Sequence, residues 1–208
     1  MKTIKILSLA FLIIFASSCS SDDDNTLIAQ IETQSFENLH APQEGGQGTP
    51  VSGEFVKFNF ATGQITTSET EWDIAFRGTL ILVNGGETSG IVDEPAKTGV
   101  AAAYIASGAM ATVTSVNTAL LIQDSEIATS IPTGSGEGWY IYAGPPSHLI
   151  TPITGKILVF RTHDGKYAKV EILSYYKDAP EAPDAFTDED RYYSFNYVYQ
   201  PNEGLSTF

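Results

Sequence analysis

Apolar and polar residues alternate along most of this chain, and the period is two. In residues 54–60, Val56, Phe58 and Phe60 fall on one face while Lys57 and Asn59 take the other. That is the pattern of a strand with one buried side. Trp72, Ile74 and Phe76 alternate with Asp73, Ala75 and Arg77, and TLILV at 79–83 continues as a second apolar run. KILVFR at 156–161 is apolar almost throughout, the mark of a strand buried on both faces. It leads through Thr162, His163, Asp164 and Gly165 into 166–176, where Val170 and Ile172 alternate with Lys169 and Glu171. An Asp-Gly pair between two such runs predicts a hairpin, because Gly165 takes the positive φ that the turn requires. The last segment, 191–200, places Tyr193, Phe195, Tyr197 and Tyr199 on one face. An aromatic stripe of this kind is the usual content of a core or a cross-strand ladder.

Only 116–131 fits a helix, and a short one. Residues 43–53, 85–99 and 132–138 are rich in glycine and predict loops. Gly134, Gly136 and Gly138 precede the strand-like WYIY and no helix, so a phosphate-binding loop is not expected there. The acidic stretch 178–190 has no calcium-loop pattern and predicts a solvated loop before the last strand. The fold class that follows is all-β, mostly antiparallel, with at most one or two short helices.

The chain opens differently. Lys2 and Lys5 precede an apolar run from Ile6 to Phe15, and Ala16, Ser17 and Ser18 form a small-residue cleavage region. Residues 1–18 therefore predict a signal peptide, too short for a stable membrane span. The single cysteine, Cys19, follows at once and resembles a lipobox cysteine, acylated on sulfur to become the mature N-terminus. Residues 19–30, with Asp22, Asp23 and Asp24, predict a lipidated polar tether, and 31–208 one domain. A lone cysteine allows no internal disulfide, no thiolate zinc cluster and no second thiol for catalysis.

Charge narrows the partners. Eleven Lys and Arg stand against 25 Asp and Glu, a net charge of -14 over 208 residues. Without Lys2 and Lys5 the balance is 9 against 25, or -16. Such a surface repels nucleic acid.

The chain has three histidines. His163 belongs to the predicted hairpin turn, where polar side chains serve local hydrogen bonding. His40 is expected in an N-terminal loop, near no other histidine. His148 follows Gly144, Pro145, Pro146 and Ser147 in a proline-stiffened loop between two strands, where β scaffolds tend to carry binding residues. No H-E-x-x-H, no G-x-S-x-G and no pair of histidines at metal-ligand spacing occurs, so a binding protein is expected and not an enzyme.

The segments WDIAFRG (72–78), VNGGETSG (83–90), KILVFRT with DGKYAKVEILSYYKDAP (156–180) and YYSFNYVYQPN (192–202) together resemble the HmuY family of haem-binding lipoproteins. The likeness covers most of residues 50–202 and is strongest at 156–180. It implies a mostly β domain shaped like a right hand, anchored by lipid at the outer membrane or shed from it. It also implies capture of haem from haemoproteins and delivery to a TonB-dependent outer-membrane receptor. Two axial ligands from separate loops hold the iron in that family, His in the founding member and Met in some relatives. Laid on that pattern without gaps, one ligand position falls at Gly144, four residues before His148. The other falls near residue 112, beside Met110. The resemblance thus implies His148 and Met110 as axial ligands of haem iron, a chemically sound pair, or else a partial loss of axial ligation. The alternative on the same anchor is a glycan- or peptide-binding domain, with Trp139, Tyr140 and Tyr142 stacking on sugars.

Overall fold

The computed structural model describes residues 28–46 and 48–208. Cys19, the leader and most of the tether lie outside the described residues. The period-two segments form antiparallel strands, in chain order β1 (Thr33–His40), β2 (Glu44–Gly46), β3 (Thr49–Ser52), β4 (Val56–Asn59), β5 (Gln64–Thr66), β6 (Ile74–Arg77) and β7 (Leu80–Val83). They continue as β8 (Ala102–Ser107), β9 (Tyr140–Tyr142), β10 (Ile150–Pro152), β11 (Lys156–Arg161), β12 (Tyr167–Tyr176) and β13 (Asp190–Gln200). A five-stranded sheet has the order β1-β13-β12-β11-β8 and a four-stranded sheet the order β5-β4-β6-β7; β9-β10 and β2-β3 are separate hairpins. The fold is all-β, as the alternation requires.

The two larger sheets meet over one aromatic core. Phe58, Ile74, Phe76 and Val83 come from the four-stranded sheet, and Leu158, Phe160, Tyr193, Phe195 and Tyr197 from the five-stranded one. Phe58 lies edge-on to Phe36, Phe60, Phe195 and Tyr197 at ring distances of 5.1, 5.6, 5.4 and 5.8 Å. KILVFR is buried on both faces. Leu158 and Phe160 enter this core, while Ile157 and Val159 pack with Tyr104, Val113 and Val116 on the other side of the sheet. Trp72 departs from its expected face. It precedes β6 and joins Phe55, Ala75 and Leu82 in a small outer cluster, not Ile74 and Phe76.

The expected helix at 116–131 is absent. A single 3-10 turn, Thr118–Leu120, is capped by the Asn117 side chain, and the rest is loop, isolated bridges and a tight turn. The chain here covers the open edge of β8 instead, with Ala103 N donating to Ile122 O at 2.8 Å and Ile122 N to Ala103 O at 3.1 Å. Satisfying a sheet edge outweighs one short helix with no face to bury, and Leu120, Ile122 and Ile127 remain exposed. Two of the expected loops also carry structure. Within 43–53, Glu44–Gly46 and Thr49–Ser52 pair as the β2-β3 hairpin. The 85–99 segment is fastened to 122–130 by an ionic cluster, in which Lys97 Nζ lies 2.5 Å from Glu94 and 3.0 Å from Asp124. Gly86 makes this approach possible, since its φ is +88 and a Cβ would sit 2.0 Å from the Asp124 carbonyl oxygen.

His40 ends β1, not a loop, and stacks on Tyr192 with ring centroids 4.4 Å apart. His163 is in its hairpin turn, but its partner is distant in sequence: its backbone N–H (2.9 Å) and its Nδ1 (2.7 Å) both meet Asp73 Oδ1. The Asp73 hydrogen bond, working against burial, raises the His163 pKa above the ordinary histidine value.

Candidate functional site

The hairpin β9-β10 pairs Tyr142 with Ile150, Ile141 with Thr151 and Tyr140 with Pro152. Trp139, just before it, is its anchor. The indole is 2% exposed, lies 5.1 Å from the Tyr193 ring, and donates from Nε1 to Thr79 O at 3.0 Å. Further along, Ile150 N donates to the Tyr176 hydroxyl at 3.1 Å. The base of the hairpin is thus held by the core, while Ile141 and Tyr142 at its outer end are 46% and 41% exposed. Buried in this way, Trp139 is unavailable as the sugar-stacking platform of the alternative reading.

The loop that closes the hairpin carries His148. Ala143 N donates to Leu149 O at 2.8 Å and His148 N to Gly144 O at 2.9 Å, and His148 adopts a φ of +53. Left-handed backbone is uncommon outside glycine, and here it aims an exposed imidazole back at the strand. The result is a short hydrogen bond between the Tyr142 hydroxyl and His148 Nδ1.

The third wall comes from the acidic stretch that the sequence presents as a solvated loop. Asp184 organises it, accepting from Phe186 N at 2.9 Å through its side chain and from Asp188 N at 2.9 Å through its carbonyl. Phe186 is thereby held out in solvent, 72% exposed, with its ring edge-on to His148 at 5.7 Å. A lone phenylalanine between Asp184 and Asp188 was the available signal, since a purely solvating loop has no use for it.

Tyr142, His148, Ile150, Tyr176, Phe186 and Asp190 line a cleft of about 410 Å³. Tyr142, Ile150 and Asp190 also line a neighbouring cleft of about 330 Å³, with Tyr140, Tyr175 and Arg191. The two adjoin along Tyr142, Ile150 and Asp190 as a groove with aromatic walls, and His148 lines the larger cleft. Burial pushes the Tyr175 phenol pKa up, whereas Tyr142 is exposed.

The structure does not bring Met110 to this groove. Met110 packs against Tyr104, Val113, Val116, Ile157 and Val159, on the side of the five-stranded sheet away from the shared core. Its carbonyl accepts from Lys169 Nζ at 2.8 Å. The hairpin residues Tyr140, Leu149 and Ile150 pack on the other side. Met110, in the turn after β8, lines neither of the two clefts beside the β9-β10 hairpin. Among the described residues no three His, Cys, Asp or Glu side chains gather as a metal cage.

The scaffold is all-β and carries an open, aromatic-lined groove beside the β9-β10 hairpin. The chain belongs to the HmuY family, whose model, described as HmuY protein, matches residues 52–197. No curated protein matches the chain. Among solved structures it is similar to an apo HmuY analog from Tannerella forsythia, with 14% identity, a TM-score of 0.49, and coverage of 85% of this chain and 100% of that one. It is also similar to a Bacteroides fragilis protein described as a candidate lipoprotein, with 15% identity, a TM-score of 0.48, and coverage of 83% of this chain and 90% of that one. No helix among the described residues is long and apolar enough to cross a membrane.

Proposed function

We propose that this protein is a lipid-anchored haem-capturing protein, which takes haem from haemoproteins and passes it to a TonB-dependent receptor at the outer membrane. The observation that carries the reading is the groove at the tip of β9-β10, where Tyr142 and His148 touch between aromatic walls, in a chain of the HmuY family. Porphyrin is a flat apolar ring with its metal at the centre. It needs aromatic surface for its faces and an axial donor for its iron, and both kinds of group line this groove. Arg191 is the cation of the groove and the natural partner of a propionate.

Tether geometry supports the same reading. Ala29 N donates to the Asn202 side chain at 2.8 Å, and Thr33 pairs with Val198. The chain therefore enters the fold at the far end of β13 from Asp190. The 11 residues of that strand span roughly 35 Å. An anchor on Cys19 would leave the groove facing away from the membrane, open to a haem donor and to a receptor.

Hemin titrated into the mature chain should give a sharpened, red-shifted Soret band. His148→Ala should weaken ferric affinity by about tenfold or more, because it removes either a donor or the group that tunes one. His40→Ala, a stacking residue outside the groove, should change nothing. An unchanged hemin spectrum with the wild-type chain would sink the haem reading. Anchoring has its own test: Cys19→Ser should move the full-length chain out of the membrane fraction, since several acyl chains at about 0.8 kcal/mol per methylene hold a protein where none does not. Retention of the Cys19→Ser chain in membranes would refute lipidation at that residue.

A further inference from the structure

Resting on the haem reading, we propose that the Tyr142 oxygen is the donor to ferric haem iron and that His148 is its base. The contact between Tyr142 Oη and His148 Nδ1 has two possible proton arrangements. In the first, the phenol O–H donates to the Nδ1 lone pair, so the ring proton sits on Nε2. In the second, Nδ1–H donates to Oη, and the phenol proton is left without a protein partner, because Tyr142 Oη makes no second hydrogen bond among the described residues. The first arrangement satisfies the phenol within the protein. It also leaves Nε2 protonated, with no lone pair to offer a metal. The oxygen of Tyr142 then remains as the open donor of the pair.

Its setting fits that role. Tyr142 lies on the β9 strand, its backbone N–H donates to Ser135 Oγ at 2.8 Å, and it pairs with Ile150 across the hairpin. The donor is thus held by a strand, while its base comes from the adjoining loop. Both residues line the same cleft, with Phe186 as an aromatic wall and the Asp190 carboxylate in the lining. Phenolate oxygen is a hard donor that suits ferric iron, and tyrosine is one of the side chains that holds haem.

With ferric haem in the cleft, the Tyr142 oxygen would hold the iron and its phenol proton would rest on His148 Nδ1. Ferric haem, when bound, would supply the Lewis acid for that oxygen. Iron stays ferric and no electron moves.

The experiment compares the wild-type mature chain, Tyr142→Phe and His148→Ala with hemin, before and after reduction by dithionite. The wild type should show a high-spin ferric spectrum with a phenolate-to-iron charge-transfer band, and should lose at least tenfold in affinity on reduction. Tyr142→Phe, which keeps the ring and its packing, should lose the band and about a hundredfold in ferric affinity. His148→Ala should keep the band at about tenfold weaker affinity. In the apo protein, 15N shifts of His148 should report a proton on Nε2. A low-spin complex that Tyr142→Phe leaves intact and His148→Ala abolishes would overturn the assignment while leaving the haem reading in place. No binding of hemin by the wild type would overturn both.

Discussion

Replacing Lys97 by Ala should destabilise the protein by about 3–5 kcal/mol, the range for leaving buried carboxylates without their cation. Lys97 and Glu94 side chains are each 3% exposed, and that of Asp124 is fully buried. Besides the two carboxylates, Lys97 Nζ donates to Glu87 O at 3.0 Å. Asp124 accepts from Ser130 N at 2.7 Å and Val83 N at 3.1 Å, which ties the ionic cluster to the edge of the four-stranded sheet. Burial opposes ionisation of Glu94, but hydrogen bonds from Lys97 and Thr88 outweigh it and hold the carboxyl below the ordinary glutamate range. A depressed carboxyl pKa contributes stability that is complete above the unfolded value of about 4.3 and is lost as pH falls through the folded value. The deficit of Lys97→Ala should therefore be largest near neutrality and shrink below about pH 4. Urea melts at both pH values measure it. A loss under about 1 kcal/mol at pH 7 would mean the cluster is not a structural centre.

Asp73→Ala should cost about 2–4 kcal/mol, because it orphans two backbone donors at once. Asp73 is 2% exposed; its Oδ2 accepts from Phe60 N at 2.7 Å and its Oδ1 from His163 N at 2.9 Å. It therefore joins the end of β4 to the β11-β12 turn, one sheet to the other. The His163 ring adds a pH-dependent part. Its folded pKa is raised, so the stability it contributes is complete below the unfolded value of about 6.5 and disappears as pH rises through the folded value. The wild type should lose this part on going from pH 6 to pH 9, and Asp73→Ala should lack that slope. Thermal melts across the range decide it: equal slopes in both proteins would remove the His163–Asp73 pair from the explanation.

Much of this was legible along the chain, and the reason is periodicity. A strand exposes alternate residues to alternate faces, so Val56 to Phe60, KILVFR and the Tyr193 to Tyr199 stripe announce their strands and their buried sides before any contact is known. The Asp164-Gly165 turn was equally local, as was the reading of His148 as a loop histidine beside strands. The failures were non-local. The pattern at 116–131 favours a helix because sequence shows propensity but not the unpaired edge of β8 that claims Ile122. Residues 85–99 read as loose loop because nothing in a one-dimensional pattern places Lys97 beside Asp124, 27 positions away.

The candidate site divides along the same line. Amino-acid order by itself determined the strands, the turns, the acidic surface and the presence of a single histidine poised in a stiff loop. Which residues share a groove was decided only when the sheets packed. Met110, in the turn after β8, packs with Tyr104, Ile157 and Val159, while Tyr140, Leu149 and Ile150 of the hairpin pack on the shared core. Burial of Trp139 fixed the hairpin and withdrew the indole from any ligand. The 178–190 loop, acidic and featureless in one dimension, brought Phe186 to His148. Alternation along a strand is set by backbone geometry within a few residues, and so it is written in the sequence. The meeting of Tyr142, His148 and Phe186 depends on the free energy of packing segments nearly 40 residues apart, and that is settled by the whole fold.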